Sequence, residues 1–300
     1  MPTVQANRIS ICYDLAGTGT PLLLIMGIGC QLIHWRDDFR QMLVGEGFRV
    51  IRMDNRDSGL TTHMDGQQPP SLSQMAARRA VGLSIAAPYR LEDMAQDAVG
   101  LLDALDIDRA VVVGASMGGM IGQTMAIEHP ERVAGLVSIM SHTGERRFFG
   151  GRPAAIRTLL VGGPPRSEAE AAERVVRIMG VLASPDYPTD PSAYREMGAR
   201  AYARDPDPRG FGRQLAAILA SGSRARGLAE VTAPTLVIHG AEDPLVPLAA
   251  GRRIAKLIPG AALWEVPGMG HDLPLQLWAE LTERIGAFVR GTEQGSALSA

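Results

Sequence analysis

Short, unbroken apolar runs alternate along this chain with longer stretches in which apolar positions recur every three or four residues. Leu22–Met26 and Ala110–Val113 are continuous apolar runs, the pattern of strands buried on both faces. Phe48–Met53, Val133–Ile139, Pro234–His239 and Ala262–Val266 read as further strands, and residues 8–15 alternate loosely up to a turn at Gly17-Thr18-Gly19. Helical spacing lies between them. It is clearest over 91–105, where Leu91, Met94, Ala98, Leu101, Leu102 and Leu105 share one face. Helices are also predicted over 36–46, from Met117 to a stop at Pro130, over 247–258 and over 275–290. Strands alternating with helices imply a parallel sheet covered on both faces.

The alternation breaks between 142 and 225. Helical patterns over 167–182, 192–203 and 211–221 are separated by Gly- and Pro-rich breaks, with no buried strand among them. This stretch reads as a helical insertion. Its 13 arginines read as a solvated surface. The expected organisation is a core formed by 1–141 and 226–291, the insertion at 142–225, and a flexible tail at 292–300.

Composition narrows the picture. A net charge of −2 over 300 residues gives no field for nucleic acid or an anionic membrane. No apolar run is long enough to span a bilayer, and the first residues lack a signal-peptide pattern, so the expected location is cytoplasmic. Two cysteines, Cys12 and Cys30, make neither a disulfide framework nor a metal cluster. They read as small buried hydrophobes. The 14 methionines against 5% aromatics suit an adaptable apolar pocket.

The chemistry gathers at strand ends. Gly114-Ala115-Ser116-Met117-Gly118 follows a buried strand and opens a helix, which is the context a G-x-S-x-G nucleophile elbow requires. Glycines on both sides remove side chains that would collide at a sharp turn, leaving the Ser116 hydroxyl clear. A serine needs a base. His271, in the glycine-broken loop after the strand ending at Val266, is the candidate among six histidines. His129 and His239 read as structural, and His63 and His142 carry no pattern. The imidazole needs a carboxylate, which Asp243 or its neighbour Glu242 can supply from the turn after the strand 234–239. Two backbone N–H groups should receive the developing oxyanion. One comes from Met117. The other comes from the Gly27–Gly29 loop, where Ile28 is the candidate within one position. Gly27, Gly29 and His34 are placed to contact substrate.

Met26–Gly29, Met53–Gly59, Gly114–Gly119, Leu236–Pro244 and Ile258–Gly260 with Pro267–His271 resemble the α/β-hydrolase superfamily. Within it they are most similar to bacterial, cap-containing esterases of the aclacinomycin methylesterase type. The usual His-Gly before the oxyanion residue is Met26-Gly27 here, as in that branch. The resemblance implies a mostly parallel eight-stranded sheet with helices on both faces and a helical cap inserted after the sixth strand. It also implies a Ser116–Asp243–His271 triad, with Ile28 and Met117 as oxyanion donors, and selects Asp243 over Glu242. The implied activity is cleavage of a small-molecule carboxylic ester with water as second substrate, through an acyl-enzyme and without metal or organic cofactor. The expected assembly is a monomer or homodimer. The same triad serves lactonases, C–C bond hydrolases and cofactor-free haloperoxidases or perhydrolases, and a member of the fold that only binds ligand is the alternative of another class. Asp54–Gly59 matches a family loop that supports the site without a chemical step of its own.

Overall fold

A computed structural model describes residues 1–161, 163–207 and 209–297. Among these, the strands are β1 (Thr3–Ala6), β2 (Ile9–Ala16), β3 (Thr20–Ile25), β4 (Phe48–Met53), β5 (Ala110–Ala115), β6 (Val133–Ile139), β7 (Thr235–Gly240) and β8 (Ala262–Val266). They form one eight-stranded sheet in the order β1-β2-β4-β3-β5-β6-β7-β8. β1 pairs antiparallel with β2, and β2 antiparallel with β4; every later pairing is parallel. The helices are α1 (Asp37–Gly45), α2 (Leu72–Ala80), α3 (Leu91–Ala104), α4 (Met117–Glu128), α5 (Pro153–Leu160), α6 (Glu168–Leu182), α7 (Pro191–Arg204), α8 (Arg209–Ser221), α9 (Ala225–Leu228), α10 (Leu248–Leu257) and α11 (Trp278–Ala297).

The apolar runs are explained by the two layers of helix. Leu22 and Leu24 of β3 face one core with Val111 and Val113, covered by Phe39 and Leu43 of α1 and by Leu281 and Ile285 of α11. Leu23 and Ile25 face the other with Val112, covered by Leu101 and Leu102 of α3, Ile121 of α4 and Ile254 of α10. Successive strand residues point to opposite faces, so a strand buried on both must be apolar throughout.

Three helices lie outside the predicted set, the shortest being the four-residue α9. α2 buries only Met75, so it shows no apolar stripe; its signal is the capping box of Ser71 and Gln74. α5 is eight residues long and starts at Pro153. α11 also runs on through 292–297, where a tail was expected, because no proline interrupts it and helix propagation adds one hydrogen bond per residue. Residues 298–300 of that expected tail lie outside the described residues.

Helices α5–α8 intervene between β6 and β7, in the segment expected to be the cap. Here the reading of the arginines is corrected. Arg213 of α8 is buried and grips Asp57 with Nε and Nη2 at 2.9 and 2.7 Å. Arg204 of α7 grips the fully buried Asp54 at 3.1 and 2.5 Å. Arg224, also buried, donates to Gln123 and to the His142 carbonyl. A guanidinium leaves water only where acceptors are waiting, and Asp54 and Asp57 supply them from the loop after β4. Both carboxylates are further held within the core. Asp54 accepts the N–H groups of Leu32 and Leu60, and Asp57 accepts Met64 N–H and the Tyr89 hydroxyl. Close approach accompanies the charges: a Cβ on Gly210 of α8 would lie 1.9 Å from the Asp57 carbonyl oxygen.

Removing one partner of such a pair strands the other charge in the interior. Arg213→Met should lower stability by about 3–5 kcal/mol, and Arg213→Met with Asp57→Asn should recover part of that loss, both read from thermal melts.

A third link titrates. His63 Nε2 lies 3.3 Å from Asp205 at the end of α7. The hydrogen bond to Asp205 outweighs desolvation and pushes the imidazole up to about 9. A raised folded-state value means the stabilisation is complete below the ordinary histidine value near 6.5 and is lost as pH rises through 9. Melting curves should show wild type above His63→Gln at pH 6 and the two converging by pH 10.

Candidate active site

Ser116 sits between β5 and α4 with φ 54° and ψ −116°, outside the regions ordinary residues occupy. Its neighbours enforce this. Ser116 N–H donates to the Ile139 carbonyl at 2.9 Å, and Ser141 Oγ donates to the Ser116 carbonyl at 2.9 Å. The flanking glycines are steric necessities: a Cβ on Gly118 would lie 2.0 Å from the Ile25 carbonyl oxygen, and one on Gly114 2.2 Å from that of Gly118.

His271 reaches this turn from the loop after β8. Its Nε2 lies 3.1 Å from Ser116 Oγ and its Nδ1 2.7 Å from Asp243 Oδ2. Asp243 is buried after β7, and its Oδ1 accepts the N–H groups of Leu245 and Val246, each at 2.8 Å. Those two bonds aim Oδ2 at the imidazole. Glu242 instead points outward, 3.5 Å from Arg152. The three residues expected from the sequence therefore converge in one hydrogen-bonded line.

The remaining histidines separate by environment. His34 lines the cavity, and burial pushes its pKa down. His239 is fully buried, with Nε2 2.9 Å from the Val246 carbonyl and 3.7 Å from Asp243. It packs behind the acid. His142 is held down at about 3, first by burial and then by the Arg224 charge, and its Nδ1 accepts the Gly144 N–H. The two thiols are held protonated: burial raises both Cys12 and Cys30 to about 11.

The Gly27–Gly29 loop presses against the elbow, since a Cβ on Gly27 would lie 3.2 Å from the Ser116 Cβ. Within it, Gly29 N–H donates to Gln214 Oε1 and Cys30 N–H to the Gly27 carbonyl. Met117 opens α4, so its N–H has no acceptor within the helix and stands at the positive end of the helix dipole.

Beside Ser116 and His271 opens a cavity of about 620 Å³. The core contributes Met26 and Met140 and the cap contributes Met179 and Met197, with Ile178 and Phe211 also from the cap. Four thioethers make an apolar wall that can adapt its shape.

The inserted helices also hold the His271 loop. Leu182 O accepts His271 N–H at 2.8 Å, and Ser184 Oγ accepts Gly270 N–H at 2.9 Å. Asp272 accepts the Ser184 N–H at 3.0 Å, and burial raises its pKa. Sequence reasoning missed Ser184, Asp272 and Gln214. Each works through a partner 86 or more residues away, so no local pattern marks it. Among the described residues no His, Cys, Asp or Glu group could hold a metal, and no helix is long and apolar enough to cross a membrane.

Residues 20–158 and 183–276 match the alpha/beta hydrolase fold family. The rhodomycin D methylesterase of Streptomyces peucetius is 30% identical over 97% of this chain and 99% of its own length. The 2-hydroxy-6-oxononadienedioate/2-hydroxy-6-oxononatrienedioate hydrolase of Cupriavidus pinatubonensis is 28% identical over 87% of this chain and 83% of its own. Among solved structures, a meta-cleavage product hydrolase from Pseudomonas fluorescens superposes with a TM-score of 0.76 at 22% identity, covering 97% of this chain and 98% of that one.

Gly118→Ala tests the elbow. With its Cβ forced against the Ile25 carbonyl, the variant should lose roughly 3 kcal/mol of stability, measured by denaturant unfolding.

Proposed function

The chain belongs to the alpha/beta hydrolase fold family, and on that premise we propose that it hydrolyses a small carboxylic ester through an acyl-enzyme on Ser116. The observation that carries this reading is the Ser116 Oγ–His271–Asp243 line, with contacts of 3.1 and 2.7 Å. Near full-length similarity to a methylesterase supports an ester over other acyl compounds.

The geometry supports the following steps. Asp243 accepts a proton-bearing Nδ1, which leaves Nε2 as the base facing Ser116 Oγ. As Oγ attacks the ester carbonyl, its proton passes to Nε2, and the imidazolium is stabilised by the buried carboxylate. The carbonyl oxygen takes up negative charge and is received by the N–H groups of Ile28 and Met117, each worth about 3–4 kcal/mol in the transition state. The occupied amides of Gly29 and Cys30 favour Ile28 as the donor of that loop. The alcohol leaves with the proton from Nε2. Water then adds to the acyl group by the same route, and the acid departs.

Residues 142–225 act as the cap over the substrate, and the methionine-lined cavity of about 620 Å³ holds an apolar acyl or alcohol portion. Gly27, Gly29 and His34 line the same cavity.

Ser116→Ala should retain the fold and lose hydrolysis of short p-nitrophenyl esters. A fluorophosphonate should label wild type at Ser116, read by mass spectrometry of the modified peptide. Undiminished turnover in the variant would sink the assignment, and an unlabelled wild type would favour a protein that only binds ligand.

A further inference from the structure

The oxyanion loop is a four-residue turn, Gly27 to Cys30, closed by Cys30 N–H donating to the Gly27 carbonyl at 3.2 Å. Gly29 takes φ 67° within it, the conformation of the third position of a type II turn. The peptide joining Gly27 to Ile28 is planar, so fixing the Gly27 carbonyl fixes the direction of the Ile28 N–H. The core holds the turn at its two ends: Asn55 Nδ2 donates to the Met26 carbonyl at 2.9 Å, and Ser58 Oγ to the Cys30 carbonyl at 2.7 Å.

The middle of the turn is held from the cap. Gln214 of α8 is fully buried, accepts Gly29 N–H at Oε1 at 2.8 Å, and donates from Nε2 to the Arg56 carbonyl at 2.8 Å. Its neighbour Arg213 locks α8 to Asp57, one residue beyond Arg56. Phe211 of the same helix covers Gly29, 3.0 Å from where a Cβ would be. The cavity wall includes Phe211 but is not formed by Gln214.

We propose that Gln214 is a positioning residue for the oxyanion: by holding the Gly29 amide it sets the aim of the Ile28 N–H, so the cap acts on the chemical step and not only on substrate entry. This inference rests on the esterase reading above. A side chain that contacts the turn but not the cavity should affect transition-state stabilisation and leave ground-state binding alone.

The test compares wild type, Gln214→Met and Gln214→Glu on p-nitrophenyl acetate, an ester with little to contact in the cap. Gln214→Met, which loses both bonds, should lower kcat on the order of 10- to 100-fold with KM within about twofold. Gln214→Glu still presents an acceptor to Gly29 N–H and should retain more kcat than Gln214→Met. Fluorophosphonate labelling of Ser116 should slow in the same order, with thermal melts confirming that each variant is folded at assay temperature. If Gln214→Met does not fold, the comparison of wild type with Gln214→Glu decides. Unchanged kcat in folded variants, a change confined to KM, or a Glu variant no better than Met would overturn the inference. Absence of Ser116-dependent turnover in wild type would instead remove the esterase reading, and this inference with it.

Discussion

Everything in this active region is arranged around one backbone residue that cannot relax. Ser116 is a non-glycine residue at φ 54° and ψ −116°, a conformation that costs of order 1–3 kcal/mol and survives only where its surroundings over-determine it. They do so through packing of backbone on backbone. Gly114, Gly118 and the Ile25 carbonyl approach so closely that no Cβ fits, while Ile139 and Ser141 hold the Ser116 peptide groups from the neighbouring strand end. The strain lifts the hydroxyl clear of the sheet, at the carboxyl ends of its parallel strands. There the loops after β3, β7 and β8 can each bring one group to it.

The cap shares in this. Two arginine–aspartate pairs, each with a buried carboxylate, seat α7 and α8 on the loop after β4. With these helices so seated, Leu182 and Ser184 hold the His271 loop and Gln214 holds the Gly27–Cys30 turn. The inserted helices and the loops that carry His271 and Gly27–Gly29 are therefore mechanically joined. Desolvating these charges is costly unless the geometry returns the energy as hydrogen bonds, as both pairs do.

Strand periodicity in the apolar runs was legible because a strand between two helical layers has no polar face to show, as in Val111 to Val113. The elbow was legible because steric demand writes glycine into fixed positions around Ser116. The carboxylate and the imidazole were legible from their order and their place after strands, with family resemblance selecting Asp243 from Glu242. α2 was not legible, because it buries a single side chain. The arginines of 142–225 were misread as one class. In one dimension Arg213, buried on Asp57, looks the same as Arg195, which meets Glu173 at the surface.

The sequence by itself determined the layered parallel sheet and the place of Ser116 at a strand-to-helix turn, because burial on both faces and a glycine-flanked turn are local constraints that leave local patterns. Only the tertiary structure decided which cap residues grip the core. The partners of Arg204, Arg213 and Gln214 lie 150 or more residues away. Whether a charge or an amide is buried depends on what the fold places opposite it, and no window of sequence contains both halves of such a contact.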